Sequence, residues 1–380
     1  MKKFIKDLLK NIVMLPAYLL PLKKKIVVSN FNGRGYGDNP KYIIEKLMLE
    51  DANYDIVWLV KDMKEEFPRN IRKVKIGSLR SYYELITASL WIDNVRNNWK
   101  TFKRKKQCYL QTWHGSYGPK PIEAEAEGRL STSYIAFAKR DGKLTDGILA
   151  SNEFQLNQMK NSFWLNKKAD ILKFGTPRND VLVFFDSNKR KQIKDKLKIK
   201  RDKKIVLYMP TFRDNFSSIG YIFDFETVLK SFEQRFEEDF VMIVRFHPNV
   251  QKEHSKLIQF NERIIDGALC EDSQELLLVS DFLISDYSSA PFDFILLNKP
   301  VFLYVADLDE YYKERGLLPV FSSLPFSKNL SIKELCDEIQ DYESSIYTKK
   351  LKNFMKDMRT YENGDATQNI VKWIHDKSCI

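Results

Sequence analysis

The 380-residue sequence is short of the residues on which several common chemistries depend. Its four cysteines, Cys108, Cys270, Cys336 and Cys379, are scattered. No two have metal-ligand or redox-motif spacing, and a chain this long needs no disulfide framework, so a reducing compartment is the simple reading. No apolar run approaches the roughly 20 residues a spanning helix requires. No short-period repeat or low-complexity tract occurs. No group of carboxylates reads as a cage for a metal, and no cofactor is expected. The glycines of NGRGYGD, Gly33, Gly35 and Gly37, are spaced G-x-G-x-G, and no acidic residue is clearly placed about 20 positions on. A nicotinamide site is therefore not expected there.

What the chain does have is positive charge, a formal +11. That excess attracts something anionic: a nucleic acid, a phospholipid surface or a phosphate-rich substrate. The N-terminus, MKKFIKDLLKNIVMLPAYLLPLKKK, narrows the choice. On a helical wheel Phe4, Ile5, Leu8, Leu9, Ile12 and Leu15 share one face, and Lys3, Lys6, Asp7, Lys10 and Asn11 the other. Pro16 and Pro21 interrupt any continuation. The pattern predicts an amphipathic helix over residues 1–22, lying in a membrane interface with its lysines toward anionic head groups. An ordinary packed helix and a cleaved signal peptide are the rivals, and no small-x-small cleavage site is present. The lysine-rich stretches WKTFKRKK and NKRKQIKDKLKIKRDKK carry no nucleic-acid recognition motif, so they read as solvated faces and nucleic acid is not an expected partner.

Short apolar runs recur, each followed by a loop and a helical pattern. They are KKIVVSNF (24–31), YDIVWLV (54–60), SLWIDN (89–94) and CYLQTW (108–113). After the charged stretch come KIVLYMP (204–210), FVMIVRFHP (240–248), DFLISD (281–286) and PVFLYV (300–305). Strands alternating with helices imply parallel sheets covered on both faces. Two such series separated by a charged, strand-free segment predict two doubly wound Rossmann-type α/β domains, over 23–185 and 200–380. Ligands in such folds sit at the carboxyl ends of strands, so the residues after each run are the candidates.

Two of the four histidines lie there: His114 in TWHG and His247 in RFHP. A histidine at a strand end faces ligand rather than core, and its ordinary pKa suits proton transfer near neutrality. In LISDYSSAPFDF, Asp286, Ser288 and Ser289 fall between a strand and a helix that begins near Pro291. The serines either donate to a phosphate or simply cap that helix. Thr211 and Arg213 in MPTFRD, Arg245 beside His247, and Arg178 in GTPRND supply hydroxyl and guanidinium groups suited to phosphate.

Taken in order, DNPKYIIEKL, LQTWHG, GTPRND, MPTFRD, RFHP, EDSQELLLVSDFLISDYSSAPFDF, KPVFLY followed by DLDEYY, and NGDAT resemble the CDP-glycerol glycerophosphotransferase family, the teichoic-acid primases and polymerases. The resemblance implies a GT-B-like pair of domains facing a cleft, the first on the acceptor side and the second binding the CDP donor. It implies attack of an acceptor hydroxyl on the β-phosphorus of CDP-glycerol or a related CDP-polyol, with release of CMP. The acceptor would be lipid-linked or polymeric, and the enzyme peripheral on the cytoplasmic face of the bacterial membrane. On the same basis His114 is the general base and His247, with Arg245, contacts the transferred phosphate. Gly115, Ser116, Arg178, Pro210, Thr211, Arg213, Phe246, Ser288, Ser289 and Asp293 match donor-contacting positions. After WHG this chain reads SYGPKPIEAEAEG, where the best-known wall polymerases have a shorter T-P-L-K-like continuation. That leaves open glycerol against ribitol, primase against polymerase, and wall against capsule. A glycosyltransferase using a sugar nucleotide is the rival with the same fold; a non-catalytic surface-binding protein is the rival from another class.

Overall fold

The computed structural model describes residues 9–50, 53–96, 101–184, 186–211, 213, 223–246 and 258–377. The chain divides into two compact units. One comprises Met1–His114, Ile122–Asp180 and Tyr361–Ile380; the other comprises Gly115–Pro121 and Val181–Thr360. Each is built on one parallel sheet, as the alternating strand and helix patterns predict.

In the first unit the strands are β1 (Lys23–Ser29), β2 (Asp55–Val60), β3 (Arg72–Lys75), β4 (Ala88–Asp93), β5 (Cys108–Gln111), β6 (Gly147–Leu149) and β7 (Asp170–Leu172). Their spatial order is β3-β2-β1-β4-β5-β6-β7. Side chains alternate across a strand, so Ile26 and Val28 of β1 enter one core cluster with Trp58, Ile43 and Leu47, while Val27 enters the opposite one with Val57, Leu59 and Trp91. Both faces being buried explains why these strands read as unbroken apolar runs.

Helix Ala366–Lys377 packs into the first of these clusters through Ile370, Val371, Trp373 and Ile374. Gly147 makes room for it: a Cβ there would lie 2.6 Å from Trp373 Cζ2. This packing brings residues 361–380 to the first unit, where the sequence reading had assigned everything beyond 200 to the second domain. Beneath helix Leu79–Thr87, Lys25 and Glu84 form an ion pair of 2.5 Å with both side chains inaccessible to solvent.

The second unit orders its strands β10-β9-β8-β11-β12-β13: β8 (Lys204–Met209), β9 (Phe240–Val244), β10 (Ile264–Asp266), β11 (Phe282–Ser285), β12 (Val301–Tyr304) and β13 (Lys328–Asn329). Its core is rich in phenylalanine, with Phe232, Phe240, Phe282 and Phe302 in one cluster. The lysine-rich stretch is strand-free, as its composition predicts, and begins with a helix. Asp186 caps helix Ser187–Lys196 by accepting from Asn188 and Lys189 N–H, and Arg190 bridges to Asp281 and the Val279 carbonyl.

The single helix expected over residues 1–22 is not confirmed. Residues 1–8 lie outside the described part, residues 9–13 are helical, and the chain then tightens into a 3-10 turn over Leu15–Leu19, with Pro16 in its first positions. Ala17 is buried against Tyr82 and Ile86, whereas Leu9, Ile12, Val13, Leu15 and Leu19 are exposed.

Candidate active site

In a doubly wound sheet the ligand crevice opens at the carboxyl ends of the strands where the order reverses. In the first unit that point lies between β1 and β4. Asn30 follows β1, Asn94 follows β4, and His114 comes three residues after β5. The three are hydrogen-bonded in series. His114 Nδ1 lies 2.7 Å from the Asn94 carbonyl oxygen, and Asn94 Nδ2 donates to Asn30 Oδ1 at 2.7 Å. A carbonyl only accepts, so Nδ1 carries the hydrogen and Nε2 is the basic nitrogen of the neutral ring. Sequence reasoning missed Asn94, whose contribution is a backbone oxygen that any residue type supplies.

Backbone constraint sets the direction of the imidazole. Trp113 adopts φ +55°, a left-handed conformation unusual for a bulky residue and held here by its surroundings. Its N–H donates to Gln111 Oε1 at 2.9 Å, its carbonyl accepts from Asn39 Nδ2 at 3.1 Å, and its ring packs edge-on against Phe163. Arg178, buried, donates to the His114 carbonyl at 2.7 Å and pairs with the Asp38 carboxylate at 3.1 Å. The arginine of GTPRND and the aspartate of DNPK thus meet at the histidine of TWHG, three sequence-remote motifs within one unit. Asp93, at the end of β4, is fully buried, and desolvation raises its carboxyl well above the usual range.

In the second unit the order reverses between β8 and β11. Pro210, Thr211 and Arg213 follow β8; Asp286, Ser288 and Ser289 follow β11. Asp286 accepts from Thr211 N–H at 2.9 Å and from its hydroxyl at 2.5 Å, and pairs with Arg213 Nη1 at 2.8 Å. The other side of the Arg213 guanidinium bonds Asp307 through Nε at 2.6 Å and Nη2 at 3.1 Å. Its carbon sits 5.1 Å from the centroids of both Tyr287 and Tyr311, which stack on each other. Burial opposes the charge, but Asp286 and Asp307 outweigh it and hold the guanidinium above its ordinary range. Arg213 also donates to the Thr211 carbonyl at 2.6 Å and so holds Thr211 in place.

Ser288 accepts from Ala290 N–H at 3.1 Å in a local turn, and Ser289, at the N-cap of the five-residue helix Ala290–Phe294, makes no side-chain cap bond. Ser116 donates to Asp293 at 2.5 Å, and Gln274 Nε2 reaches the other oxygen of that buried carboxylate at 3.4 Å. The segment Gly115–Pro121 belongs to this unit: Leu318 N–H donates to the Pro119 carbonyl, and the Tyr117 ring packs 4.5 Å from Phe292. Arg245 donates to the Gly267 carbonyl at 3.0 Å, and burial lowers its pKa; Phe246 is a core residue.

His247 lies outside the described residues. Lys120, which sequence reasoning passed over, is partly exposed, and burial pushes its ammonium down to about 8; Asp286, Arg315 and Arg213 are the charges it senses. Only its place in the loop after TWHG pointed to it. Among the described residues no group of three or more histidine, cysteine, aspartate or glutamate side chains is arranged to hold a metal.

Residues 13–376 match the profile of the family described as CDP-glycerol:poly(glycerophosphate) glycerophosphotransferase. The chain is 32% identical over 375 residues to the teichoic acid poly(glycerol phosphate) polymerase of Staphylococcus epidermidis; the match takes in 93% of this chain and 50% of that protein, so this chain spans half its length. It is 30% identical over 373 residues to the teichoic acid glycerol-phosphate transferase of Staphylococcus aureus, covering 93% and 94% of the two. Among solved structures, a histidine variant of the wall teichoic acid polymerase TagF soaked with CDPG superposes with a TM-score of 0.84 at 30% identity, over 99% of this chain and 98% of that one.

Proposed function

The chain belongs to the CDP-glycerol:poly(glycerophosphate) glycerophosphotransferase family, and from that premise we propose that it moves glycerol phosphate from CDP-glycerol onto a hydroxyl of a lipid-linked or polymeric acceptor in teichoic acid or capsule synthesis. The acceptor oxygen bonds to the β-phosphorus, the bond from that phosphorus to the bridging oxygen breaks, and CMP leaves. The acceptor's proton passes to His114 Nε2. The observation that carries this reading is the anchored imidazole: with Nδ1–H committed to the Asn94 carbonyl, the ring presents its basic nitrogen in one orientation. Phosphoryl transfer depends mostly on positioning and charge neutralisation. In the second unit Thr211, Arg245, Ser288, Ser289 and Lys120 are the proposed donor-side groups, with Asp286 and Arg213 holding Thr211 in place. His247 is proposed to contact the transferred phosphate on the family resemblance alone. Glycerol is favoured over ribitol because the relatives of 30–32% identity are named for glycerol phosphate.

Attachment to an anionic membrane surface is proposed for the N-terminal segment, supported by its exposed Leu9, Ile12, Val13, Leu15 and Leu19. No helix among the described residues is long and apolar enough to cross a membrane.

The decisive experiment measures CMP release by the purified chain from CDP-glycerol, with and without a glycerol-phosphate-primed acceptor. Acceptor-dependent release that His114→Ala lowers by about 10² to 10⁴ supports the proposal. Release with CDP-ribitol alone changes the polyol. Transfer from a sugar nucleotide, with no CDP-polyol turned over, sinks it in favour of the glycosyltransferase reading.

A further inference from the structure

The closing motif NGDAT has no part in the chemistry described so far, yet the residues around it are bonded to the turn that carries Arg178. The chain leaves the first unit at Asp180 and returns to it at Tyr361, and these two places are fastened to each other in both directions. In one direction the Glu362 carboxylate accepts from Thr176 N–H at 3.0 Å through Oε2. Its Oε1 accepts from the Thr176 hydroxyl and from Asn179 Nδ2, the latter at 3.1 Å. In the other, Asp180 accepts from Ala366 and Thr367 N–H at 3.1 and 2.8 Å, where the C-terminal helix begins. The Thr367 hydroxyl also donates to the Pro177 carbonyl at 3.4 Å.

The fit between the two segments is close. Gly175 has φ +84°, and a Cβ there would come 2.7 Å from Glu362 Oε2 and 3.1 Å from the Tyr361 carbonyl oxygen. The glycine of GTPRND thus answers both to its backbone conformation and to this carboxylate. Tyr361 N–H donates to the Ser151 carbonyl at 2.7 Å and its hydroxyl donates to Glu153, which anchors the returning chain just past β6. Between Thr176 and Asn179, both held by Glu362, stands the buried turn Pro177–Asn179. From it Arg178 donates to the His114 carbonyl at 2.7 Å, and Arg178 N–H donates to Asn39 Oδ1 at 3.1 Å. The same Asn39 side chain donates to the Trp113 carbonyl. The turn therefore acts on two consecutive residues, directly at His114 and through Asn39 at Trp113. A displacement of about 1 Å at a reacting group can cost about 100-fold in rate, so what steadies this turn matters to the base.

We propose that Glu362 is a positioning residue for the transfer reaction: it holds the turn Pro177–Asn179 so that Arg178 keeps His114 where its imidazole serves as base. The proposal rests on the reading of His114 as the base, and it assigns the segment Glu362–Thr367 a part in catalysis exerted through other side chains.

The test uses the full chain. CMP release from CDP-glycerol with a glycerol-phosphate-primed acceptor gives kcat and acceptor KM, calorimetry gives the CDP-glycerol Kd, and mass spectrometry follows hydrogen exchange over residues 108–114 and 175–180. Glu362→Ala, shown to be folded by its urea midpoint, is expected to lower kcat about tenfold or more and to speed exchange in both segments, with acceptor KM and donor Kd within about twofold of wild type. Glu362→Gln keeps the shape and one accepting oxygen and should recover most of the rate. In a His114→Ala background Glu362→Ala should cost nothing further, because its effect passes through the base. An equal loss in that background, or an unchanged kcat, overturns the proposal and leaves the transfer reading standing. A wild-type protein that releases no CMP sinks the transfer reading instead, and exchange then decides the link: faster exchange in both segments of Glu362→Ala upholds it, and unchanged exchange over 108–114 refutes it. If Glu362→Ala does not fold, Thr176→Val, which removes a single hydroxyl bond, is judged by the same criteria with a severalfold loss of kcat expected.

Discussion

Replacing Glu84 by glutamine in the first unit should cost about 3 kcal/mol of stability. Glu84 and Lys25 are both closed off from water, 2.5 Å apart, and the Lys25 ammonium also donates to Thr87 Oγ1 at 2.7 Å. Burial alone would raise the carboxyl; hydrogen bonds from Arg72 and Lys25 outweigh it and bring it down to about 2 from the usual 4.5. A depression of that size is worth about 3 kcal/mol near neutrality. Removing one partner of a buried pair costs about 3–5 kcal/mol by mutagenesis, because the other charge is left unpaired. Arg72 and Arg80 also touch Glu84 but are 42% and 61% exposed, so solvent screens their share and the lower figure is expected.

Tryptophan fluorescence can read this unit alone. Trp58, Trp91, Trp113, Trp164 and Trp373 all belong to it, and the second unit's sequence contains no tryptophan. With an m-value of about 2 kcal/mol/M, Glu84→Gln should move the urea midpoint down by about 1.5 M. Adding Lys25→Met should restore much of the loss by removing the stranded charge. A depressed carboxylate contributes stability that is present above pH 4.5 and lost as pH falls toward 2. The gap between wild type and variant should therefore close over that range. A midpoint shift under about 0.3 M, or additive effects of the two substitutions, would refute the reasoning.

Gly147→Ala, which sets a methyl group against the Trp373 ring, should destabilise the first unit by about 1–3 kcal/mol and red-shift tryptophan emission; unchanged emission and midpoint would mean the C-terminal helix yields freely. Burial pushes the Cys108 and Cys270 thiols up to about 12, so both should resist a disulfide reagent at pH 8 in the folded protein and react once it is unfolded. Peptide mass mapping reads each site, and rapid native labelling of either contradicts the packing described. Ile12→Asp with Leu19→Asp should reduce co-sedimentation with vesicles containing anionic lipid severalfold while leaving the urea midpoint unchanged, since both side chains are exposed. Equal sedimentation would place membrane attachment elsewhere.

Eight strands were legible as apolar runs, because strands buried on both faces must be apolar throughout. Among the described residues five strands escaped, β3, β6, β7, β10 and β13; they are two to four residues long and lie toward the sheet edges, too short and too mixed to stand out from loops. The doubly wound class, two units and the candidate positions after the strands followed from that pattern, since strand-end loops are where such folds place ligands. The family followed from an ordered set of short motifs.

Tertiary structure alone decided which of those positions support one another. Asn94 acts on His114 through a main-chain oxygen, and Asp38 and Arg178, 140 positions apart in sequence, meet at the His114 carbonyl. Arg213, an expected donor contact, is enclosed between two carboxylates and two tyrosines. The lysine-rich segment contributes a capped helix, Ser187–Lys196, and helix Ala366–Lys377 returns to the first sheet through Ile370, Val371 and Trp373. Local sequence encodes residue type and periodicity, and so the elements. Long-range hydrogen bonds and ion pairs depend on distances set only when the sheets assemble, and there the orientation of the His114 ring is determined.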